Sequence, residues 1–317
     1  MRRIAVLDDY QRVAASIVDW ALLQGRAEIT FFHDNVQGDE LIARLRGYDG
    51  VVLMRERTKM PREVIDALTD LCLIVTSGAA NAALDVAAAR SNGIIVCGTR
   101  GWTGVTSTVE HTWALILALA RHIPAEDAAI RHGGWMTALP TALAGSVLGI
   151  VGLGNLGSLM PPVARALGME VVAWSRNLTA ERAAECGVES FGHDQFFATA
   201  DIVSVHVKLG ARSRGYIGEE QLRLMKPSAF LVNTSRGPVV DEGALVRALT
   251  ERWIAGAALD VFDQEPLPTD HPLRHLPNTV LTPHSGYVND ASYREYFMQI
   301  VEDIDAYLRG APIRELT

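Results

Sequence analysis

Cysteine is scarce and badly spaced for cross-linking. Cys72, Cys97 and Cys186 are scattered and odd in number, which argues against a disulfide-built scaffold, and none stands at a metal-ligand spacing. They read as small buried apolar residues in a reducing, cytoplasmic compartment. Long apolar runs are also missing. Met1-Arg2-Arg3 leads into Ile4-Ala5-Val6-Leu7, which Asp8-Asp9 stops at once; that is too short for a secretory signal. The strongest apolar stretch, residues 112–120, lies between Glu110-His111 and Arg121-His122, about half of what a bilayer requires. Nor is there a surplus of positive charge: 29 Lys and Arg against 37 Asp and Glu leave a formal net charge of -8. Such a surface repels phosphate backbones and argues against nucleic acid as a partner, although a local basic pocket could still take a nucleotide. No fixed-period repeat and no low-complexity tract occurs.

What is present is an alternation of short apolar runs with longer helical patterns. A chain of 317 residues exceeds one ordinary hydrophobic core, so two domains are expected. Strands are predicted over residues 3–7, 28–32, 50–53, 73–76, 94–97, 147–151, 170–174, 202–205, 230–233, 257–260 and 280–282. Apolar strands separated by helices mean parallel sheets covered on both faces, an α/β class. After the Gly- and Thr-rich segment 98–104 a long helix is expected, with Val109, Thr112, Trp113, Ile116, Leu117 and Ala120 on its apolar face. Residues 131–145, with Gly133-Gly134 and Pro140, read as a loop. Residues 291–308 read as a final amphipathic helix. Two α/β lobes with a cleft between them follow, and in open parallel sheets ligands bind at the carboxyl ends of strands.

The strand at 147–151 runs into Gly152-Leu153-Gly154-Asn155-Leu156-Gly157. This is G-x-G-x-x-G after a strand and before a helix, the context in which it binds a dinucleotide. Gly152 permits the tight turn, Gly154 the approach of a pyrophosphate, and Gly157 close helix packing; the diphosphate would meet the helix N-terminus. Pro161-Pro162 falls inside that helix, where a kink or break is expected. About 20 residues beyond the glycines, strand 170–174 ends at Ser175-Arg176-Asn177. An NAD site commonly carries Asp or Glu there, whereas Arg suits a ribose 2′-phosphate, so NADP is favoured over NAD.

Three later segments carry polar groups behind apolar strands: Asn233-Thr234-Ser235-Arg236-Gly237, Leu259-Asp260-Val261-Phe262 with Glu265-Pro266, and Thr282-Pro283-His284-Ser285-Gly286. An arginine can anchor a carboxylate through its planar fork. A histidine can give up a proton near neutrality, and a carboxylate beside it orients the ring and favours its charged form. Together these groups suit reduction of a 2-oxo acid by a nicotinamide coenzyme.

With these segments and Val109-Glu110-His111-Thr112, the chain resembles the D-isomer-specific 2-hydroxyacid dehydrogenase family over nearly its whole length. The resemblance implies a Rossmann dinucleotide-binding domain over residues 100–285, inserted into a flavodoxin-like substrate domain formed by residues 1–99 and 286–317. It also implies a homodimer. Arg236 would bind substrate and Glu265 would pair with the acid/base His284. Asp260 would hold the nicotinamide carboxamide, and Asn155-Leu156 would contact the diphosphate through backbone. Thr234-Ser235, His206 and Gly286 would complete the cofactor site. The substrate expected is a glyoxylate- or hydroxypyruvate-like acid, giving a D-2-hydroxy acid. A phosphoglycerate dehydrogenase is the same-class alternative, and an NAD(H)-sensing protein without turnover is the alternative of another class. Glu265, where the formate dehydrogenase branch has Gln, disfavours that branch.

The chain departs from the family pattern in its first domain. The substrate-carboxylate loop Gly-x-Gly-x-Asp-Asn-x-Asp here reads Gly78-Ala79-Ala80-Asn81-Ala82-Ala83-Leu84-Asp85. Gly78 and Ala79 can still offer backbone N–H groups, and Arg55, after Met54 at a strand end, could reach a substrate. Lys208 replaces a usual proline, and Tyr287 adds bulk beside His284.

Overall fold

The computed structural model describes residues 1–101 and 103–316. The chain divides into two compact units, one of Met1–Thr103 with Asn289–Thr317 and the other of Gly104–Val288.

The first unit is built on β1 (Arg2–Val6), β2 (Ala27–Phe31), β3 (Gly50–Leu53), β4 (Leu73–Thr76) and β5 (Ile95–Gly98), all parallel, in the order β2-β1-β3-β4-β5. That is the flavodoxin-like order. Every residue of β3 and β4 is buried, as expected where helices cover both faces of a parallel sheet. The helix Asp290–Leu308 returns to this sheet. Asn289 caps it by accepting the Ser292 N–H at 2.7 Å, and Phe297, Ile300 and Ile304 are buried on its inner face. Each such side chain contributes about 1.5–3 kcal/mol, enough to hold a segment so distant in sequence.

The second unit carries β6 (Val147–Val151), β7 (Glu170–Trp174), β8 (Glu189–Ser190), β9 (Ile202–Val205), β10 (Phe230–Asn233), β11 (Gly256–Leu259) and β12 (Thr279–Leu281), all parallel, in the order β12-β11-β10-β9-β6-β7-β8. Starting from β6 this is the doubly wound Rossmann order with one strand added, and the order reverses between β6 and β9.

All eleven expected strands form, within one residue of their expected ends. The twelfth, β8, has no apolar pattern; both of its residues are exposed, and it exists by pairing with Val172 and Ala173. On the helix Thr103–Ala120 the expected face is buried except at Leu117, which is 38% exposed. The prolines do break their helix. Gly157–Leu159 forms a 3₁₀ turn, and an α-helix starts afresh at Met160–Ala166 with Pro161 and Pro162 in its first turn, where a missing N–H breaks no intrahelical bond. Among the cysteines Cys97 is buried, but Cys72 and Cys186 are only half-buried, and all three are free. No helix among the described residues is long and apolar enough to cross a membrane.

One buried carboxylate makes the stability of the first unit depend on pH. Asp303 is fully buried on the helix Asp290–Leu308. Its Oδ1 accepts Arg314 Nε–H at 2.9 Å, while Oδ2 has no partner among the described residues. Burial outweighs the guanidinium and pushes its pKa up to about 6. A raised carboxyl pKa means that the folded chain holds the proton more tightly than the unfolded one. The resulting stabilisation is present below about pH 4 and is lost as pH rises through the folded value. Asp303→Asn is therefore expected to flatten the fall in the urea midpoint between about pH 4 and pH 6.5. Identical pH slopes in variant and parent would show that Asp303 does not govern it.

Candidate active site

The glycine turn lies at the carboxyl end of β6, beside the point where strand order reverses. Gly152 has φ +96°, and a Cβ on it would lie 2.7 Å from Val207 Cγ1. A Cβ on Gly157 would sit 2.0 Å from the Gly152 carbonyl oxygen, so no side chain fits there. Gly154 is the opposite case: nothing lies within 4 Å of its Cβ position, and Gly154 and Asn155 are exposed while Leu156 is half-buried. Two glycines are thus required by the turn itself, and the third leaves open space where a diphosphate would approach. The residues present fit a dinucleotide. The motif opens on a 3₁₀ turn, not directly on an α-helix as its spacing suggests, so its donors are the N–H groups of the turn.

Two residues shape this turn, Arg182, which the sequence reading missed, and His206, which it placed in the cofactor site. Arg182, on the helix Ala180–Glu185, points Nε and Nη2 at the Leu153 carbonyl (3.2 and 3.1 Å). Because the peptide unit is planar and trans, drawing that oxygen toward Arg182 turns the Gly154 N–H the opposite way. Below the turn, His206 has its Nε2 2.8 Å from Ser204 Oγ, and its Nδ1 is buried without a partner among the described residues. Burial drives its pKa down to about 4, so the ring is neutral. A basic residue on a short helix carries no motif, so the role of Arg182 could not be read from sequence. At the end of β7, Ser175 is half-buried while Arg176 and Asn177 are exposed.

The expected reactive residues stand at the carboxyl ends of adjacent strands. Asn233 of β10 pairs with Leu259 of β11, which pairs with Leu281 of β12, so Arg236, Asp260 and His284 follow neighbouring strand ends. His284 Nδ1 lies 2.6 Å from Glu265 Oε2, and Glu265 Oε1 accepts the Phe262 N–H at 2.9 Å. The carboxylate is therefore held at both oxygens and fixes the ring, leaving Nε2 as the other proton-carrying position. His284 itself has φ +51°, a left-handed conformation that costs a non-glycine residue about 1–3 kcal/mol where it is fully strained. Tyr287 stands edge-on to the ring, 6.0 Å between centres.

Arg236 is placed by its neighbours. Asn233 Nδ2–H donates to the Arg236 carbonyl (3.0 Å), and Asn233 Oδ1 accepts the Ser235 N–H (3.0 Å). Arg236 Nη1–H donates to the Ser235 carbonyl at 2.7 Å. A Cβ on Gly237 would sit 2.1 Å from the carbonyl carbon of Phe262, so this loop packs on the backbone that leads to Glu265.

Several expected cofactor residues are used by the framework. Thr234 Oγ1 shares a hydrogen bond with Thr112 Oγ1 at 2.8 Å, and Ser235 Oγ–H donates to the Val207 carbonyl. Asp260 is buried. Its Oδ1 accepts Thr282 Oγ1–H (2.6 Å) and the Ser285 N–H (2.9 Å), and Oδ2 accepts the Gly286 N–H (2.8 Å). His111 Nε2 lies 3.2 Å from Oδ1. Burial raises the Asp260 pKa, but hydrogen bonds from His111, Thr282 and Ser285 outweigh it and hold the group below the usual carboxylate range. Asp260 and His111 thus anchor the loop that carries His284. Sequence placed His111 in a motif and assigned it no role.

In the first unit, Arg55 has φ +53° and Gly78 φ +97°. The Arg55 guanidinium lies over Gly78, whose Cβ position is 1.7 Å from Nη1. The Gly78 N–H donates to Thr99 Oγ1 at 2.7 Å. Ala79 is exposed, and its N–H makes no hydrogen bond among the described residues.

Residues 113–286 match the family model described as D-isomer specific 2-hydroxyacid dehydrogenase, NAD binding domain. The chain belongs to the D-isomer-specific 2-hydroxyacid dehydrogenase family. It is 41% identical over 236 residues to a glyoxylate reductase of Aeropyrum pernix, covering 72% of this chain and 70% of that protein. It is 36% identical over 278 residues to a D-3-phosphoglycerate dehydrogenase of Archaeoglobus fulgidus, covering 87% of this chain but only 52% of that longer protein. The fold matches a phosphoglycerate oxidoreductase from Vibrio cholerae with a TM-score of 0.93 at 34% identity, covering 98% of this chain and 100% of that one. Membership makes the protein a 2-hydroxyacid dehydrogenase by family, with a nicotinamide coenzyme on the Gly104–Val288 unit.

Proposed function

We propose that this protein reduces a small, unphosphorylated 2-oxo acid of the glyoxylate or hydroxypyruvate kind to the D-2-hydroxy acid, using NADPH in preference to NADH. The observation that carries the reading is the His284–Glu265 contact of 2.6 Å. It holds Nδ1 and leaves Nε2 to deliver a proton to the substrate carbonyl oxygen. Arg236 anchors the substrate carboxylate, and Arg55, Ala79 and Tyr287 complete the substrate contacts. The coenzyme, when bound, supplies the hydride. Gly152, Gly154, Asn155, Leu156 and Gly157 hold its diphosphate, Ser175, Arg176 and Asn177 its ribose phosphate, and His206, Thr234, Ser235, Asp260 and Gly286 form the wall beside its nicotinamide end.

An unphosphorylated substrate is supported by the charge around Arg55. Its Nε lies 3.6 Å from Glu56 Oε2, and the neighbouring Arg57 already donates to the Asp8 carbonyl (2.8 Å) and Tyr293 Oη (3.0 Å). A phosphate dianion there would face a carboxylate and one arginine already engaged. The test is a panel of 2-oxo acids with each reduced coenzyme, followed at the nicotinamide absorbance. The highest kcat/KM is expected with glyoxylate or hydroxypyruvate and NADPH. A best rate with phosphohydroxypyruvate would replace this reading by phosphoglycerate dehydrogenation, and coenzyme binding without turnover would replace it by sensing.

The protein acts in this proposal as a cytoplasmic homodimer. Trp135, Met136 and Leu139, on the loop after helix Ile123–Arg131, are 75%, 81% and 92% exposed, a concentration of apolar surface that monomers rarely present. Sedimentation should give twice the chain mass; a monomer at micromolar concentration would remove this part.

A further inference from the structure

An arginine on an exposed turn ordinarily samples many rotamers and loses that freedom only when a ligand arrives. Arg176 does not have that freedom. Its backbone N–H donates to Tyr216 Oη at 2.6 Å, its guanidinium carbon lies 4.7 Å from the centre of the Tyr216 ring, and Nη1–H donates to the Arg212 carbonyl at 2.8 Å. Tyr216 is itself enclosed by contacts. It is buried, its ring stacks on Trp174 at 5.0 Å and 22°, and its chain neighbours are tied down by Gly215 N–H to Pro238 O (2.8 Å) and Ile217 N–H to Val239 O (3.1 Å). Arg176 Nε and Nη2 make no hydrogen bond, and no carboxylate pairs with the group, among the described residues. Those two nitrogens form one edge of the guanidinium fork, the edge that takes two oxygens of a phosphate side by side.

A single stacking contact on a surface would be incidental. Here three contacts from one loop, residues 212–216, act on one residue, one on its backbone and two on its side chain, and they leave one edge of the guanidinium available. We propose that Tyr216, with the Arg212 carbonyl, is the positioning residue that holds Arg176 ready for the 2′-phosphomonoester of the coenzyme ribose, and so sets the preference for the phosphorylated coenzyme. The proposal rests on the NADPH preference stated above. Holding the arginine in advance removes the ordering penalty from phosphate binding, so the effect falls on ligands that carry the 2′-phosphate.

The experiment compares calorimetric dissociation constants of adenosine 2′,5′-bisphosphate and 5′-AMP, which differ only in that phosphate, for the whole protein and its variants. The parent is expected to favour the bisphosphate. Tyr216→Leu should shrink the ratio by about three- to tenfold, and Tyr216→Phe, which keeps the ring but loses the hydroxyl, by about twofold. Arg176→Ala should abolish the preference. Ratios equal to the parent's in both tyrosine variants overturn the proposal while leaving the NADPH preference standing. A parent that binds 5′-AMP as tightly as the bisphosphate overturns the preference and the proposal together. If Tyr216→Leu does not fold, Tyr216→Phe decides alone, an unchanged ratio counting against the proposal.

Discussion

Replacing His284 with alanine is expected to lower kcat for 2-oxo acid reduction by about 10²–10⁴, the usual loss when a positioned general acid is removed. The expectation comes from one geometric fact. Glu265 is held by the Phe262 N–H at one oxygen and bonded to His284 Nδ1 at the other, so the ring is fixed and its proton can leave only from Nε2. Glu265→Gln should lose less than His284→Ala, because the amide oxygen can still accept from Nδ1 and hold the ring. Steady-state rates at saturating coenzyme, on protein shown to be folded by circular dichroism, decide the matter. A His284→Ala enzyme with near-parental kcat would remove His284 as the proton donor and leave the proposed chemistry without an acid.

Arg236→Ala is expected to reduce kcat/KM for the 2-oxo acid by about 10²–10³, the size of effect seen when a fixed charge-stabilising donor is lost. Arg236→Lys should restore only part, because an ammonium supplies the charge but not two parallel donors. The side chain is oriented through Ser235 and Asn233, so a second check is available. Oxamate, a carboxylate that cannot be reduced, should inhibit the alanine variant much more weakly than the parent. Equal inhibition of both would mean that the carboxylate is anchored elsewhere, with Arg55 the next residue to test.

Much of this was legible before any coordinates. Runs such as Gly50-Val51-Val52-Leu53 are apolar at every position, bounded by turn residues, and buried at every position; continuous burial in a parallel sheet leaves that pattern. The glycine motif was legible because two of its three glycines are dictated by backbone collisions that any side chain would cause. Elements stabilised only by a partner were not legible. β8 is Glu189-Ser190, two exposed residues with no pattern. The engagement of the Gly78 N–H by Thr99, 21 residues away, has no local signal. Leu117 satisfies the helical period yet is exposed, because the width of a buried face is set by whatever packs on it. The placement of Pro161-Pro162 at a helix start also depended on Gly157–Leu159 taking a 3₁₀ turn first.

By itself the sequence determined the class of chemistry: which side chains could accept a hydride acceptor's carboxylate, which could give a proton, and which backbone could lie against a diphosphate. Those properties belong to residue types and to steric exclusion between near neighbours, which short-range order encodes. Only the tertiary structure decided which of these groups are available. Asp260, Thr234 and Gly78 have their polar atoms engaged by Ser285 and Gly286, by Thr112, and by Thr99, and Arg176 is held by a tyrosine 40 residues away. A hydrogen-bonding group has few positions to offer, and whether a distant residue already fills them is settled by the path of the chain in space.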